Sequence, residues 1–277
     1  MIKPTGTLLP MLLTAGALCL TVDASAVEFD QDVTPDVIFG SGNANGGFTT
    51  DRQNGVEIGI RAKIPFVGTI NSNGDGTYSY TLVETDHDED GPGGTALRWN
   101  FDWTVNTDFD ESAGLMIDDL TYELGMDSDP GPGTDFLKFD PVTPTGAVPF
   151  YDHSIGDNNT GNGLGDEAMT GPVYLNFLAN YNVLQQSWRY SFFPIAPLDS
   201  YDPDIPGLYT VYLLAKDEGG DVVARSEIQI LIELPAGLPA DKDECKKGGW
   251  MTFSPLFKNQ GSCVSFVATG GAPRHNK

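Results

Sequence analysis

The chain of 277 residues is strongly acidic, with 39 Asp and Glu against 15 Lys and Arg and a formal net charge of −24 at pH 7. This charge repels phosphate groups, so the composition excludes nucleic acid and anionic membranes as partners of the acidic part. At this length the chain can bury a sizeable hydrophobic core.

Residues 1–26 have the pattern of an export signal. Lys3 supplies a positive start, an apolar stretch runs from Leu8 to Leu20, and Ala24-Ser25-Ala26 fits the small-x-small cleavage pattern. The apolar stretch is too short for an ordinary transmembrane helix. We therefore expect cleavage after Ala26 and a secreted or periplasmic product without a membrane span.

Short alternating strands, punctuated by 33 Gly and 19 Pro, predict an all-β sandwich of about nine strands, either immunoglobulin-like or jelly-roll. Apolar residues alternate in 56–60 and again in 78–82. The sequence NSNGDG at 71–76 lies between these runs and has the composition of a turn. The two runs are therefore predicted to form a hairpin.

Further along the chain the two-residue period recurs in 99–105, 120–124 and 188–192. In the first of these runs, Trp99, Phe101, Trp103 and Val105 share one face, as core residues do. The stretch 173–184 is ambiguous, and a short helix is possible there.

Residues 207–233 read as two strands around a Glu-Gly-Gly-Asp turn. Their pattern, G-x-Y-x-V-x-L followed by D-x-x-G, resembles the last hairpin of immunoglobulin-like domains of the bacterial cell-surface type. The resemblance covers about 27 residues and implies a fold without implying an activity.

The predicted domain organisation is a signal peptide (1–26), a β-sandwich (27–233), a linker rich in Pro, Ala and Gly (234–242) and a small C-terminal module (243–277). Residues 27–240 carry 35 acids against 8 bases, a balance of −27, whereas residues 241–277 carry 3 acids against 6 bases.

After signal cleavage the chain keeps two cysteines, Cys245 and Cys263, which an oxidising compartment should join in a disulfide. The phrases CKKGGW and FKNQGSCVSF around them are similar to a short C-terminal segment of many uncharacterised secreted bacterial proteins. Residues 37–63 are likewise similar to the start of uncharacterised exported bacterial proteins. Neither resemblance implies an activity.

The strongest chemical pattern is the acidic loop DHDEDGPGG. Its Asp86, Asp88 and Asp90 stand at alternate positions before Gly91, which matches the first half of a D-x-D-x-D-G calcium loop. The twelfth position holds Leu97 in place of a bidentate Glu, so the loop is not an EF-hand. Either it binds Ca²⁺ with ligands from elsewhere, or it is a solvated acidic loop.

Two other loops carry weaker versions of this pattern. Asn71, Asn73 and Asp75 have the same spacing, although Asn and Gly also suit a turn. Asp127 and Asp129 form a further acidic pair. We expect at least one of these loops to hold Ca²⁺.

No catalytic motif accompanies these loops. The chain has 3 histidines, none at metal-ligand spacing from another, and no G-x-S-x-G motif. The sequence thus favours a secreted, non-catalytic, calcium-binding sandwich that binds an extracellular polysaccharide or a cell-surface component. The alternatives are a carbohydrate-active hydrolase or lyase that uses a carboxylate pair, and a purely structural envelope component. The oligomeric state is left open.

Overall fold

The computed structural model describes residues 27–40, 42–64, 71–81, 99–143, 152–193, 195–201, 205–234, 237–253 and 257–268. Two β-sheets pack as an all-β sandwich, which confirms the predicted fold class. The predicted signal peptide and the loop with Asp86, Asp88 and Asp90 lie outside the described residues.

The described residues form twelve strands, more than the nine expected. Several of the strands near the sheet edges are too short to show an alternating pattern in the sequence. In chain order they are β1 (Glu28–Gln31), β2 (Phe48–Gln53), β3 (Val56–Lys63), β4 (Thr77–Thr81), β5 (Asn100–Asn106), β6 (Thr121–Asp127), β7 (Phe136–Phe139), β8 (Ser154–Gly156), β9 (Asp166–Glu167), β10 (Val183–Trp188), β11 (Gly207–Lys216) and β12 (Val222–Glu233).

Among the residues that the structure describes, helical structure is confined to short segments. Their two α-helices are α1 (Gly171–Leu178) and α2 (Gln260–Ala268), and short 3-10 segments lie at Ile117–Asp119, Tyr190–Phe192, Leu198–Ser200 and Lys246–Phe253. No helix in the described part of the chain is both long and apolar enough to cross a membrane.

One sheet has seven strands in the order β1-β2-β3-β5-β10-β8-β9, and each neighbouring pair is antiparallel. The other has five strands in the order β4-β12-β11-β6-β7. Within it, only the β4–β12 pair of the described strands is parallel.

The core lies between the two sheets and follows the two-residue period of the strands. Phe101, Trp103 and Val105 of β5 are fully buried against the facing sheet, where Val211 and Leu213 of β11 are also fully buried. Burying each large apolar side chain contributes about 1.5–3 kcal/mol. The prediction that the 99–105 face belongs to the core is confirmed.

The predicted hairpin between 56–60 and 78–82 is wrong, because β3 and β4 belong to different sheets. The hairpin partner of β3 is β2, and the turn between them is Asn54-Gly55, with φ of 54° and 81°. Asn-Gly suits a two-residue hairpin turn since both residues tolerate positive φ. Alternation identified the strands correctly, but it carries no information about which strands pair.

The predicted strand at 188–192 is also wrong beyond its first residue. Strand β10 ends at Trp188, and Tyr190–Phe192 forms a 3-10 turn. The ambiguous stretch before it divides into α1, which has a Pro in its first turn, and the start of β10. The predicted hairpin at 207–233 is confirmed as β11 and β12.

The disulfide between Cys245 and Cys263 is present, with a Cα–Cα distance of 5.6 Å. Both cysteines are buried together with Phe257 and Phe266 in a small core of their own. Leu234, at the end of β12, packs against this small core and also against the main one.

Candidate ligand-binding groove

An open groove lies where the edges of the two sheets meet. The pairing of β4 with β12 begins at Thr77 and Gln229, and the backbone N–H of Gln229 donates to the carbonyl of Gly76 at 3.0 Å. From there β12 continues towards Val222, and β1 and β2 of the other sheet lie beside it. The space between them is about 680 Å³ in volume.

We call this feature the edge groove. It is lined by Val27, Phe29, Asp51, Gln53, Asp75, Gly76, Val222, Arg225, Glu227 and Gln229. Three carboxylates, two carboxamides and one guanidinium thus share the groove with three apolar side chains. The mixture supplies hydrogen-bond donors, acceptors and an aromatic surface.

Asp51 joins the two sheets at the base of the groove. Its side chain is buried, and one carboxylate oxygen accepts hydrogen bonds from the backbone N–H of Arg225 at 2.8 Å and from Nε2 of Gln53 at 2.7 Å. The acceptor satisfies an edge N–H of β12 that would otherwise be open to pairing with another chain. The Asp51 carboxylate is therefore held in a fixed position.

Arg225 and Glu227 form the polar wall on the β12 side. Their side chains pair with each other, and each remains partly exposed to solvent. The guanidinium carbon of Arg225 also lies 4.6 Å from the ring centroid of Tyr212. Exposed pairs of this kind add little to stability, so both groups can exchange their contacts for those of a ligand.

Phe29 provides the aromatic surface of the groove. Its ring rests on Gly76, where an added Cβ would lie 3.0 Å from Cε1 of Phe29, and the residue is 37% exposed. Val27 and Val222 are exposed near it. A partly exposed ring beside fixed polar groups can stack on a flat ligand face while the polar groups bond to its edges.

Of the predicted calcium ligands in 71–76, only Asp75 lines the edge groove. Asp75 accepts from the N–H of Thr77 at 2.9 Å, and Nδ2 of Asn73 donates to Oγ of Ser79 at 2.9 Å. Asn71 is exposed. Asp75 and Asn73 therefore make the bonds that shape the turn before β4.

Asp127 and Asp129 also make local turn bonds. Asp127 is buried, and its Oδ1 accepts from the N–H groups of Asp129 at 3.1 Å and of Asp135 at 2.7 Å. Asp129 accepts from the N–H of Gly131 at 2.8 Å. Burial raises the pKa of Asp127 above its ordinary value, although these N–H bonds act in the opposite direction.

Within the described ranges, no group of three or more His, Cys, Asp or Glu side chains could hold a metal ion. The D-x-D-x-D-G loop lies outside those ranges. The calcium site accordingly stays a prediction from the sequence.

A buried ion cluster on the outer face of the seven-stranded sheet was missed by the sequence reasoning. Asp102 of β5 accepts from Nε of Arg61 at 2.9 Å and lies 2.9 Å from Nζ of Lys63. Arg61 also donates to the carbonyls of Ala44 and Gly46, which fastens the glycine-rich segment over the sheet. The signal in the sequence that could have revealed this cluster is the placement of Arg61, Lys63 and Asp102 at the polar positions of two alternating strands. These bonds give the cluster a structural role.

Comparison with known proteins adds no identity to this geometry: no protein-family profile matches the chain, and no curated protein shows significant similarity to it.

Proposed function

We propose that the protein is a secreted, non-catalytic β-sandwich that binds an extracellular polysaccharide in the edge groove. The observation that carries this proposal is the exposed ring of Phe29 beside carboxylate, carboxamide and guanidinium groups in one groove. Sugar rings offer a flat apolar face and a rim of hydroxyl groups, and these two kinds of side chain complement them. The signal-like pattern of residues 1–26 supports export.

The state of the carboxylates favours binding over hydrolysis. Asp51 is buried and accepts two hydrogen bonds, Asp75 caps the turn before β4, and Glu227 pairs with Arg225. Glycoside hydrolysis needs one carboxylic acid that gives a proton and one carboxylate that acts as a base or nucleophile. A carboxylate that is held in place by such bonds can still accept hydrogen bonds from sugar hydroxyl groups with its remaining lone pairs, and this orients the sugar.

The direct test is affinity electrophoresis of residues 27–277 in gels that contain neutral or acidic soluble polysaccharides. Phe29→Ala should weaken binding about 5- to 30-fold, since covering one ring face contributes about 1–2 kcal/mol. Phe192→Ala is the matched control, because Phe192 is a 51% exposed phenylalanine that does not line the groove.

Two results would contradict the proposal. If the Phe29→Ala variant binds the polysaccharide as tightly as the unsubstituted protein, the edge groove is not the binding site. Release of reducing ends or of unsaturated sugars from a bound polymer would replace the non-catalytic function with the hydrolase or lyase alternative.

Calcium binding is the second part of the proposal. Asp86, Asp88 and Asp90 would supply carboxylate oxygens, and backbone carbonyls or a neighbouring loop would complete the shell. The support for this part is the spacing of the three aspartates and the excess of Asp in the acidic domain.

A further inference from the structure

The predicted site of signal cleavage adjoins the edge groove. Val27 follows directly after Ala26, lines the groove and is 40% exposed. Strand β1 begins at the next residue, Glu28. Because the sequence predicts cleavage after Ala26, Val27 would be the first residue of the exported chain. The groove and the expected N-terminus of the processed protein therefore coincide at one residue.

The pairing of β1 with β2 places Val27 beside Asp51. The two strands are antiparallel with Glu28 opposite Thr50, so the residue before Glu28 comes opposite the residue after Thr50, which is Asp51. Opposite residues of an antiparallel pair point to the same face, with Cα atoms about 4.5–5.5 Å apart. Both residues line the edge groove, as this register requires. The backbone nitrogen of Val27 is thus at the level of the carboxylate that forms the base of the groove.

The groove contains more negative than positive side chains. Asp51, Asp75 and Glu227 line it together with one guanidinium, that of Arg225, which pairs with Glu227. Asp51 and Asp75 accept hydrogen bonds from uncharged N–H groups. Such bonds are weaker than those from a cationic donor. An additional ammonium group would therefore be stabilised in this groove.

The charged residues of β1 and β2 next to the groove do not change this balance. The guanidinium of Arg52 lies between the carboxylates of Glu28 and Glu57, at 3.5 and 2.6 Å. Asp30 accepts hydrogen bonds from the backbone N–H and the hydroxyl of Ser72. The surroundings of the groove are therefore acidic as well.

Cleavage changes the chemistry of the Val27 nitrogen. Within a longer chain this nitrogen is an uncharged amide with one N–H group, whereas at a chain terminus it is an ammonium with three. The ordinary pKa of an α-amino group is about 7.7–8.0, and nearby carboxylates raise it because they favour the charged form. At neutral pH the ammonium can therefore donate both to a carboxylate of the groove and to the hydroxyl groups of a sugar.

We propose that cleavage after Ala26 completes the edge groove, and that the α-ammonium of Val27 pairs with Asp51 and is one of the groups that bind the polysaccharide. This inference rests on the proposed function and states how that site is regulated. The precursor, whose Val27 nitrogen is an amide, binds weakly, and the processed protein binds fully.

The test compares three proteins that differ only at their start: residues 27–277 with a free α-amino group, the same chain acetylated on that group, and residues 25–277. Their affinities for hydroxyethylcellulose and soluble xylan are measured by affinity electrophoresis. Acetylation and the retention of Ser25 and Ala26 should each weaken binding about two- to ten-fold, as expected for the loss of one hydrogen-bond donor. Mass spectrometry of the full chain, exported with its own signal, should find Val27 as the first residue.

Thermal melts give a second measurement that needs no polysaccharide. At about pH 6 the free protein should melt about 1–4 °C above the acetylated protein, as expected for one partly exposed ion pair. For a cation whose pKa is raised by folding, the contribution to stability is complete below the unfolded pKa and is lost as pH rises through the folded pKa. The two melting temperatures should therefore converge at about pH 10.

Asp51→Asn removes the charge of the proposed partner and keeps an oxygen that can accept the Arg225 N–H. In that variant, acetylation should change the melting temperature less than in the unsubstituted protein. Asp166→Asn is the matched control, because Asp166 is an exposed aspartate of β9, at the opposite edge of the seven-stranded sheet from β1. It should leave the effect of acetylation unchanged.

The outcomes that would contradict the inference are distinct. A first residue other than Val27 in the exported protein would remove the ammonium from the groove. Equal melting temperatures of the free and acetylated proteins at pH 6 would show that the ammonium forms no ion pair. Equal affinities of all three proteins for a polysaccharide would exclude the N-terminus from recognition while the edge groove stands. If residues 27–277 bind neither polysaccharide, the proposed function is overturned, and the role of Val27 in recognition is overturned with it.

Discussion

The carboxylate of Asp51 on β2 accepts the backbone N–H of Arg225 on β12 at 2.8 Å, so a side chain of one sheet closes the edge of the other. The two residues are 174 positions apart in the sequence. The bond fixes the base of the edge groove and satisfies an edge donor that could otherwise pair with another chain.

Asp51→Ala should lower the free energy of unfolding by about 1–3 kcal/mol, because it leaves the Arg225 N–H without its acceptor. Asp51→Asn should cost less, since its amide oxygen can accept the same bond. Urea unfolding monitored by tryptophan fluorescence measures both changes. Glu218→Ala, at an exposed position in the β11–β12 turn, is the control and should change little. Equal losses for the alanine and asparagine variants at Asp51 would contradict the role of this bond.

Gly125→Ala should destabilise the protein by about 1–3 kcal/mol, because the added methyl group overlaps the ring of Tyr212. Tyr212→Ala removes the obstacle, so the same glycine substitution should cost much less in that background. The four proteins form a double-mutant cycle in urea. Additive effects would show that the ring does not press on Gly125.

The buried carboxyl of Glu57 predicts a pH dependence. Burial raises its pKa above the ordinary value of 4.5, although bonds from the Thr34 N–H and from Arg52 act in the opposite direction. For an acid whose pKa is raised by folding, the contribution to stability is complete below pH 4.5 and is lost as pH rises through the folded pKa.

The unsubstituted protein should therefore gain stability relative to Glu57→Gln as the pH falls towards 4.5, because the glutamine does not titrate. Urea denaturation of both proteins at a series of pH values gives this difference. A difference that is constant, or that shrinks on acidification, would show that Glu57 is not protonated more readily in the folded state.

The disulfide should stabilise the C-terminal module more than the sandwich. Cys245 and Cys263 are 18 residues apart, and a crosslink of that span contributes about 3 kcal/mol by loop-closure entropy. Reduction should therefore melt the small core around Phe257 and Phe266 before the sandwich unfolds. Far-UV circular dichroism with and without a reductant should show an added early transition. A single unshifted transition would mean that the module does not depend on the bond.

Calcium should raise the melting temperature of residues 27–277 above that in chelator, and magnesium should do so less. Ligand linkage predicts a rise that grows once calcium exceeds its dissociation constant, about 0.1–1 mM for an extracellular site. Asp88→Asn with Asp90→Asn should abolish the rise, whereas Asp118→Asn, at an exposed position, should keep it. An equal rise in melting temperature with magnesium would show that the acidic loops act as general surface charge and do not form a calcium site.

Local pattern in the sequence determined the burial of individual strand faces. Alternate residues of a strand point to opposite sides, so the spacing in 99–105 was enough to assign the core face of that strand. The disulfide was predicted from the number of cysteines, since a chain cleaved after Ala26 retains only Cys245 and Cys263. These conclusions need only neighbouring residues or residue counts.

Only the tertiary structure decided which strands pair and which side chains meet. Strand β4 has the alternation of a hairpin partner for β3, yet it pairs in parallel with β12, because packing between distant segments sets the partner. The edge groove and the placement of Tyr212 on Gly125 both join residues far apart in the chain. Their positions depend on strand order and register, which no local spacing encodes.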